Sequence, residues 1–296
     1  MIELIESKTL FAEDEYINLG DPGFIENWDF SEANTSHEAR VQAVSAVASV
    51  CYGNNSLDPK FKLYDKLTRE SIGLPSSSFE FIPVLLDMDK YTLISNTWDK
   101  FNINDIPNII RYGQYINNDA FLITNLRALM YDLEKIKQYG NSKMWDPDNE
   151  IWFNMTKYEQ KIIKNNFFTF RIKATIRDFR QHVRHRRAAY QELSRRYTTG
   201  QKVPIEFRIK AAVEEKVPRT IAHLEKSKEL YEKILKEGFK SEDARDVIPV
   251  SMYSTIWTSY YPDGLDNYLK LRTKTAAQKE IRLIAESMKE ILKRED

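Results

Sequence analysis

Residues 171–197 read RIKATIRDFRQHVRHRRAAYQELSRRY and gather the densest cationic chemistry of the chain. Nine basic residues (Arg171, Lys173, Arg177, Arg180, Arg184, Arg186, Arg187, Arg195 and Arg196) stand against two acids, Asp178 and Glu192; nine minus two leaves +7 in 27 residues. Guanidiniums on a fixed surface bind phosphate or polarise a carbonyl, because their planar fork matches oxyanion geometry. Gln181, Gln191, Glu192, Ser194 and Tyr197 are interleaved with the arginines. A small-ligand site uses such polar groups to fix orientation, whereas a phosphate-tracking surface has less need of a carboxylate. Charge alone leaves three readings open: a solvated basic helix, a nucleic-acid surface and a small-anion site. His185 lies between two arginines, which disfavours its protonation, and His182 and His223 read as packing or surface histidines.

The rest of the chain narrows these readings. Across 296 residues, 44 basic and 44 acidic side chains cancel, so any anion-binding function comes from local clustering. Hydrophobic residues at 42% and charged residues at 30% are ordinary for a globular protein. The single cysteine, Cys51, excludes an intrachain disulfide and a zinc site of several thiolates. It sits in an Ala/Val-rich stretch without nearby cations, so it reads as a small buried side chain and not a nucleophile. No Gly-x-Gly-x-x-Gly fingerprint or P-loop is present, which argues against a Rossmann-type cofactor site. The start MIELIE lacks the basic and apolar regions of a signal peptide. No stretch approaches the roughly 18 apolar residues of a membrane span. The expectation is a cytoplasmic protein with no membrane association.

Positioning these groups requires a scaffold. Residues 1–12 read as a strand, and Ser36–Tyr52 as a buried helix entered at Ser36. A charged helix follows over 59–72, and Phe79–Leu86 reads as a short strand with Pro83 weakening its middle. Residues 87–165 read as mostly helical, with apolar residues at helical spacing from Leu122 to Ile136. Phe167–Ala174 alternates as a strand and Thr175–Tyr197 continues as a long helix, on which Arg180, Arg184, Arg187, Gln191 and Arg195 share a face. Thr220–Gly238 is an amphipathic helix capped by Gly238, another begins at Ser241, and Leu265–Arg294 is the last. The fold class is therefore α+β, a small antiparallel sheet wrapped by long helices. One catalytic domain over 1–296 would carry a mostly helical insertion at about 82–165.

Arg184-His185-Arg186, then Glu192, Ser194 and Arg196-Tyr197, form an ordered pattern. Ala244-Arg245, Ile248-Pro249, Asn267, Leu271-Arg272, Ala277-Gln278 and Glu280-Ile281 form a second. Ser77–Glu80 (SSFE) and Val47–Gly53 (VASVCYG) add weaker matches. Together these resemble the flavin-dependent thymidylate synthases over about two-thirds of the chain, the unmatched part being chiefly 82–165.

The resemblance implies reductive methylation of dUMP to dTMP, with methylenetetrahydrofolate giving the one-carbon unit, FAD the hydride, and NADPH re-reducing the flavin. It implies that Arg272 is catalytic, polarising the uracil ring. It implies dUMP contacts from Gln181, Arg184, Glu192, Ser194, Arg195, Arg196, Arg245 and Arg272. Flavin contacts would come from Ser77, Arg184, His185, Arg186, Glu192 and Asn267. It also implies a homotetramer whose subunits share sites; no metal is expected, and the cancelling charge and scattered tryptophans argue against a nucleic-acid partner. Departures accompany it: Ala189 and Gln191 replace the usual Ser and Asn, and Pro75 and Phe81 the usual His. Tyr261 and Asp263 replace an Asn and an Arg against the flavin. Asp263 near a pyrophosphate opposes binding unless another cation compensates. Glu80 reads equally as a solvated strand end or a functional acid, and Asn125 and Arg127 as structural residues. The alternatives are a pyrimidine nucleotide hydroxymethylase of the same fold, motivated by the altered flavin positions, and a nucleic-acid-binding protein using 171–197.

Overall fold

The computed structural model describes residues 1–11, 15–54, 56–69, 76–87, 108–118, 120–138, 156–211 and 216–293. Pro75 and the stretches 88–107 and 139–155 of the expected insertion lie outside them.

The chain opens with β1 (Glu3–Thr9), β2 (Tyr16–Leu19) and β3 (Phe24–Asp29), β1 pairing antiparallel with β3. Helix α1 (His37–Ser49) starts where Ser36 Oγ accepts the Ala39 amide at 3.1 Å, as its polar entry predicts. A 3-10 turn over Val50–Tyr52 ends at Gly53, whose φ of +63° suits a residue without a Cβ. Helix α2 (Phe61–Arg69) follows. The apolar run at 79–86 splits into a 3-10 turn, Ser77–Phe81, and β4 (Pro83–Asp87), with Pro83 at the first strand position.

Within 82–165, α3 (Asn108–Arg111) leads to β5 (Gln114–Ile116) and β6 (Phe121–Asn125), then α4 (Leu126–Gln138) and α5 (Lys157–Asn166). β6 pairs antiparallel with β4 and β5. The expected helix from Leu122 thus begins only at Leu126. Leu122 and Ile123 are adjacent and both buried in a central strand, where the hydrophobic period loses its meaning.

Next come β7 (Phe168–Thr175), α6 (Ile176–His182), β8 (Ala188–Glu192) and β9 (Phe207–Lys210). Helices α7 (Val217–Lys236) and α8 (Ser241–Ala244) precede β10 (Tyr253–Tyr260), and α9 (Pro262–Arg272) and α10 (Lys279–Ile291) follow. The main sheet is antiparallel throughout, in the order β1-β3-β7-β10-β8. Phe170, Ile172, Ala174 and Ile256 bury one face against Ile281, Ile284 and Met288 of α10. Trp28 and Trp257 bury the other with α1 and the β4-β6-β5 layer. The molecule is α+β. Among the described residues no helix is long and apolar enough to cross a membrane.

Two helices expected from the sequence are shorter than their patterns. The 175–197 helix stops at His182, and 188–192 is instead β8, an edge strand on β10. The arginines therefore do not share one helical face, because non-local pairing with β10 overrides helical spacing. The last helix divides at 273–278 into α9 and α10. Strand β10 itself carries no clean alternation, since its residues are buried on both faces.

Gly264, in the first turn of α9, fixes how closely that helix meets the motif loop. A Cβ there would run into the Arg187 carbonyl oxygen, a backbone atom that cannot turn aside. Gly264→Ala is expected to cost about 1–3 kcal/mol, read from the urea midpoint. An unchanged midpoint would show that the close approach does not exist.

Candidate active site

The basic segment is largely neutralised by acids from elsewhere in the chain. Arg171 makes a two-pronged contact with Glu26, Nε to Oε2 at 2.6 Å and Nη2 to Oε1 at 2.8 Å, and lies over the rings of Trp28 and Trp257. Lys173 pairs with Glu206 at 2.6 Å, Arg187 with Asp263 at 2.8 Å and Arg196 with Glu242 at 2.9 Å. Arg177 lies 3.7 Å from the buried Glu280. Among the described residues, no carboxylate pairs with Arg180, Arg184 or Arg186, and all three are exposed. A surface that tracks nucleic acid needs a continuous row of open cations, and this pattern of pairing breaks such a row.

The loop after α6 brings three of the expected site residues together. Arg272, at the C-terminal end of α9, donates from Nε to His185 Nε2 at 2.9 Å and from Nη2 to the Gln181 carbonyl at 3.1 Å. The Gln181 side chain bonds Gln278. His185 is buried, and its ring packs edge-on to Tyr268 at 4.7 Å between centroids. Accepting from a guanidinium requires the neutral imidazole with its proton on Nδ1. Burial first, and the Arg272 charge second, hold His185 in that state by lowering its pKa to about 4.

Behind it His182, the expected packing histidine, is fully enclosed. Its Nδ1 lies 2.9 Å from the Tyr268 hydroxyl and its Nε2 3.3 Å from that of Tyr260. Burial, then His185 and Arg272, lowers its pKa to about 3. Tyr190 of β8 closes the cluster, donating to the carbonyls of His182 at 3.1 Å and His185 at 2.9 Å. Tyr190 lies inside the motif segment, but nothing in the local pattern links Tyr260 and Tyr268 to it; only β10 and α9 bring them there.

Both histidines have folded pKa values below their ordinary 6.5, so the unfolded chain takes up protons first as the pH falls. Their stabilisation is complete above pH 6.5 and is lost as the pH drops through about 4 and then 3. The thermal midpoint is expected to fall over this window, and His185→Asn to flatten its upper part. A profile identical in the His185→Asn variant would refute a neutral, buried His185.

Other expected positions have partners of their own. Ser77 Oγ donates to Gln191 Oε1 at 2.9 Å, and Gln191 Nε2 approaches Cys51 Sγ at 2.6 Å. Cys51 is thus a half-buried, bonded thiol whose pKa burial raises, the opposite of an activated nucleophile. Glu192 is half-buried, and burial raises its carboxyl pKa while Ser254 partly offsets this. Ser194 is half-buried beside Arg195, whose guanidinium donates to the carbonyls of Val203 at 2.6 Å and Pro204 at 2.9 Å. Those bonds commit Arg195 to holding its own loop. Arg245 is exposed after α8, and Asn267 is exposed on α9, the helix that ends at Arg272.

The departures Tyr261 and Asp263 have partners. Tyr261 accepts from Asn125 Nδ2 at 3.2 Å, and the Asp263 amide donates to Gln114 Oε1 at 3.0 Å. Arg187, besides pairing with Asp263, donates to the Gly113 carbonyl at 3.3 Å. Glu80 and Arg127 form an ion pair. These two altered positions are therefore points at which the 82–165 stretch is anchored. Arg187 supplies the cation that Asp263 requires beside an anionic cofactor, so the residues present fit a flavin nucleotide. Glu80, Asn125 and Arg127, to which the sequence assigned no site, line one cavity together with Arg187 and Tyr261.

Residues 114–296 match the sequence model of the family described as thymidylate synthase complementing protein. The chain is 33% identical over 203 residues to the flavin-dependent thymidylate synthase of Aquifex aeolicus (strain VF5), covering 62% of this chain and 60% of that protein. It is 36% identical over 135 residues to the enzyme of that name from Thermotoga neapolitana, covering 43% and 61%. A third, from Sulfurisphaera tokodaii, is 30% identical over 184 residues, covering 60% and 70%. The match thus spans about three-fifths of the length of the first two relatives.

Proposed function

We propose, from the premise that this chain belongs to the thymidylate synthase complementing protein family, that it is a flavin-dependent thymidylate synthase methylating dUMP reductively to dTMP. The observation that carries the reading is the Arg272 guanidinium held by a neutral His185 inside the Arg-His-Arg triplet. With two N–H groups engaged by His185 and Gln181, the remaining donors are oriented before substrate arrives. A fixed cation of this kind stabilises negative charge developing on a polarised uracil ring. Bound FAD, reduced by NADPH, supplies the hydride, and methylenetetrahydrofolate the carbon. Ser77, Arg184, His185, Arg186, Glu192 and Asn267 would hold the flavin. Gln181, Arg184, Glu192, Ser194, Arg196 and Arg245 would hold dUMP. Arg195 would support that site through the 199–204 loop.

Residues 1–296 would form one catalytic domain with an insertion at about 82–165. The same resemblance carries a homotetramer in which different copies complete each site. A cytoplasmic location is part of the same proposal.

The purified chain is expected to take up FAD in stoichiometric amount, seen as a flavin absorption band after removal of excess. With dUMP, folate and NADPH it is expected to form dTMP, identified by mass spectrometry. No flavin uptake even with dUMP present, or a hydroxymethylated product, would overturn the assignment.

A further inference from the structure

The turn that follows α6 is held weakly by its own backbone. The His185 amide reaches the His182 carbonyl at 3.5 Å, and Val183 and Arg184 between them are exposed. Yet residues 181–185 carry both acceptors of Arg272, the Gln181 carbonyl and the His185 ring. Their hold comes from three tyrosines on three other elements: Tyr190 of β8, Tyr260 of β10 and Tyr268 of α9. Tyr268 stands four residues before Arg272, so both project from one face of α9. Its hydroxyl meets His182 Nδ1 at 2.9 Å while its ring lies against that of His185.

One placement of the hydrogens leaves no hydroxyl of this cluster without an acceptor. Tyr268 is fully buried, and His182 Nδ1 is the only acceptor its hydroxyl meets among the described residues. Tyr268 therefore donates, and the neutral His182 carries its proton on Nε2. That N–H donates to the Tyr260 oxygen at 3.3 Å. Tyr260 bonds the Tyr190 hydroxyl in turn. Tyr190 gives its own hydrogen to the carbonyls of His182 at 3.1 Å and His185 at 2.9 Å. The run has one direction and ends on the main chain of the turn. Buried hydrogen bonds ordered in this way reinforce one another, and loss of one hydroxyl leaves a buried partner unpaired.

We infer that Tyr190 and Tyr268 are positioning residues for Arg272, because they hold the 181–185 stretch on which both of its acceptors lie. The inference rests on the proposed function only for what Arg272 does once it is held.

Tyr190→Phe and Tyr268→Phe keep the rings and remove one hydroxyl each. Nuclear magnetic resonance of the chain as purified is expected to show the His182 proton on Nε2. In each variant the Arg272 Nε–H is expected to exchange with water about tenfold faster or more, with the β7 amides unchanged. The kcat for dTMP formation is expected to fall by about 10- to 100-fold, as when a reacting group is misaligned from a distance. The KM for dUMP should change by less than about threefold, because the misaligned donors act on charge that develops in the transition state. A purely structural role would lower the thermal midpoint and leave Arg272 exchange and kcat at their wild-type values. If one variant does not fold, the other decides by the same readouts. A His182 proton on Nδ1, or wild-type Arg272 exchange in both variants, overturns the inference. Faster Arg272 exchange in variants of a chain that forms no dTMP overturns the proposed function alone. A chain that forms dTMP with the same kcat in both variants as in wild type overturns this inference alone.

Discussion

Arg272→Ala is expected to lower kcat for dTMP formation by about 10²–10³-fold, the range seen when one donor to a developing oxyanion is removed. The expectation rests on preorganisation and not on charge alone. The guanidinium sits at the C-terminal end of α9, where the helix dipole favours a cation. Its Nε and one Nη2 hydrogen are engaged by His185 and the Gln181 carbonyl, which fixes the direction of the donors that remain. Arg272→Lys is therefore also expected to fail. A single ammonium on a flexible stem cannot hold both partners and still present a planar pair of donors. Both variants should retain the wild-type circular dichroism spectrum, because Arg272 is only half-buried. The measurement is steady-state dTMP formation alongside dUMP affinity. A kcat within fivefold of wild type for Arg272→Ala would remove this residue from the chemistry.

The second large effect is on stability. Arg208 of β9 and Asp178 of α6 are each 1% exposed, with Nη2 and Oδ2 2.9 Å apart. Asp178 Oδ2 also accepts from the Thr175 amide at 3.0 Å and the Thr175 hydroxyl at 2.7 Å, so the same carboxylate caps the helix leading to Gln181 and His182. The Arg208 guanidinium lies 3.6 Å from the centroid of the Phe11 ring. Removing Arg208 leaves the buried Asp178 carboxylate only the half-buried Arg177 at 3.9 Å, and a buried charge so poorly paired costs about 3–5 kcal/mol. Arg208→Ala is expected to lose that much in urea unfolding at neutral pH. The double variant Arg208→Met with Asp178→Asn should lose less than the two single variants summed, because it leaves no orphaned charge. A loss below about 1 kcal/mol for Arg208→Ala would mean that water reaches the pair.

The parts of the fold legible beforehand are those in which one face of an element meets the core. Phe168, Phe170, Ile172 and Ala174 alternate with Thr169, Arg171 and Lys173, and β7 forms there. Ile281, Ile284, Met288 and Ile291 recur at helical spacing, and α10 buries them. Ser36 and Gly238 announce a helix start and end through their own chemistry, a side-chain acceptor and a φ of +91°. Where both faces are buried the signal fails. Tyr253–Tyr260 becomes the strand between β7 and β8, yet its mixed Tyr, Ser, Thr and Trp show no period. Arg180, Arg184 and Arg187 mimic a helical stripe, but the chain leaves the helix at His182 because Ala188–Glu192 gains a ladder with the distant β10.

The sequence by itself determined the order and spacing of the motif residues, hence the family resemblance and the groups available for chemistry. The covalent chain sets which side chains exist and how far apart they lie along it, and local backbone preferences follow from them. Only the tertiary structure decided what each group is doing. Glu26, Glu206, Glu242 and Asp263 neutralise arginines and a lysine of the basic segment from far along the chain. His185 becomes a neutral acceptor because folding buries it beside Arg272, 87 residues later. Tyr261 and Asp263, which the sequence alone marks as departures, are anchors for an insertion that begins at about residue 82. Charge pairing, burial and protonation depend on distance in space and on excluded water, and neither is written in the spacing of residues along the chain.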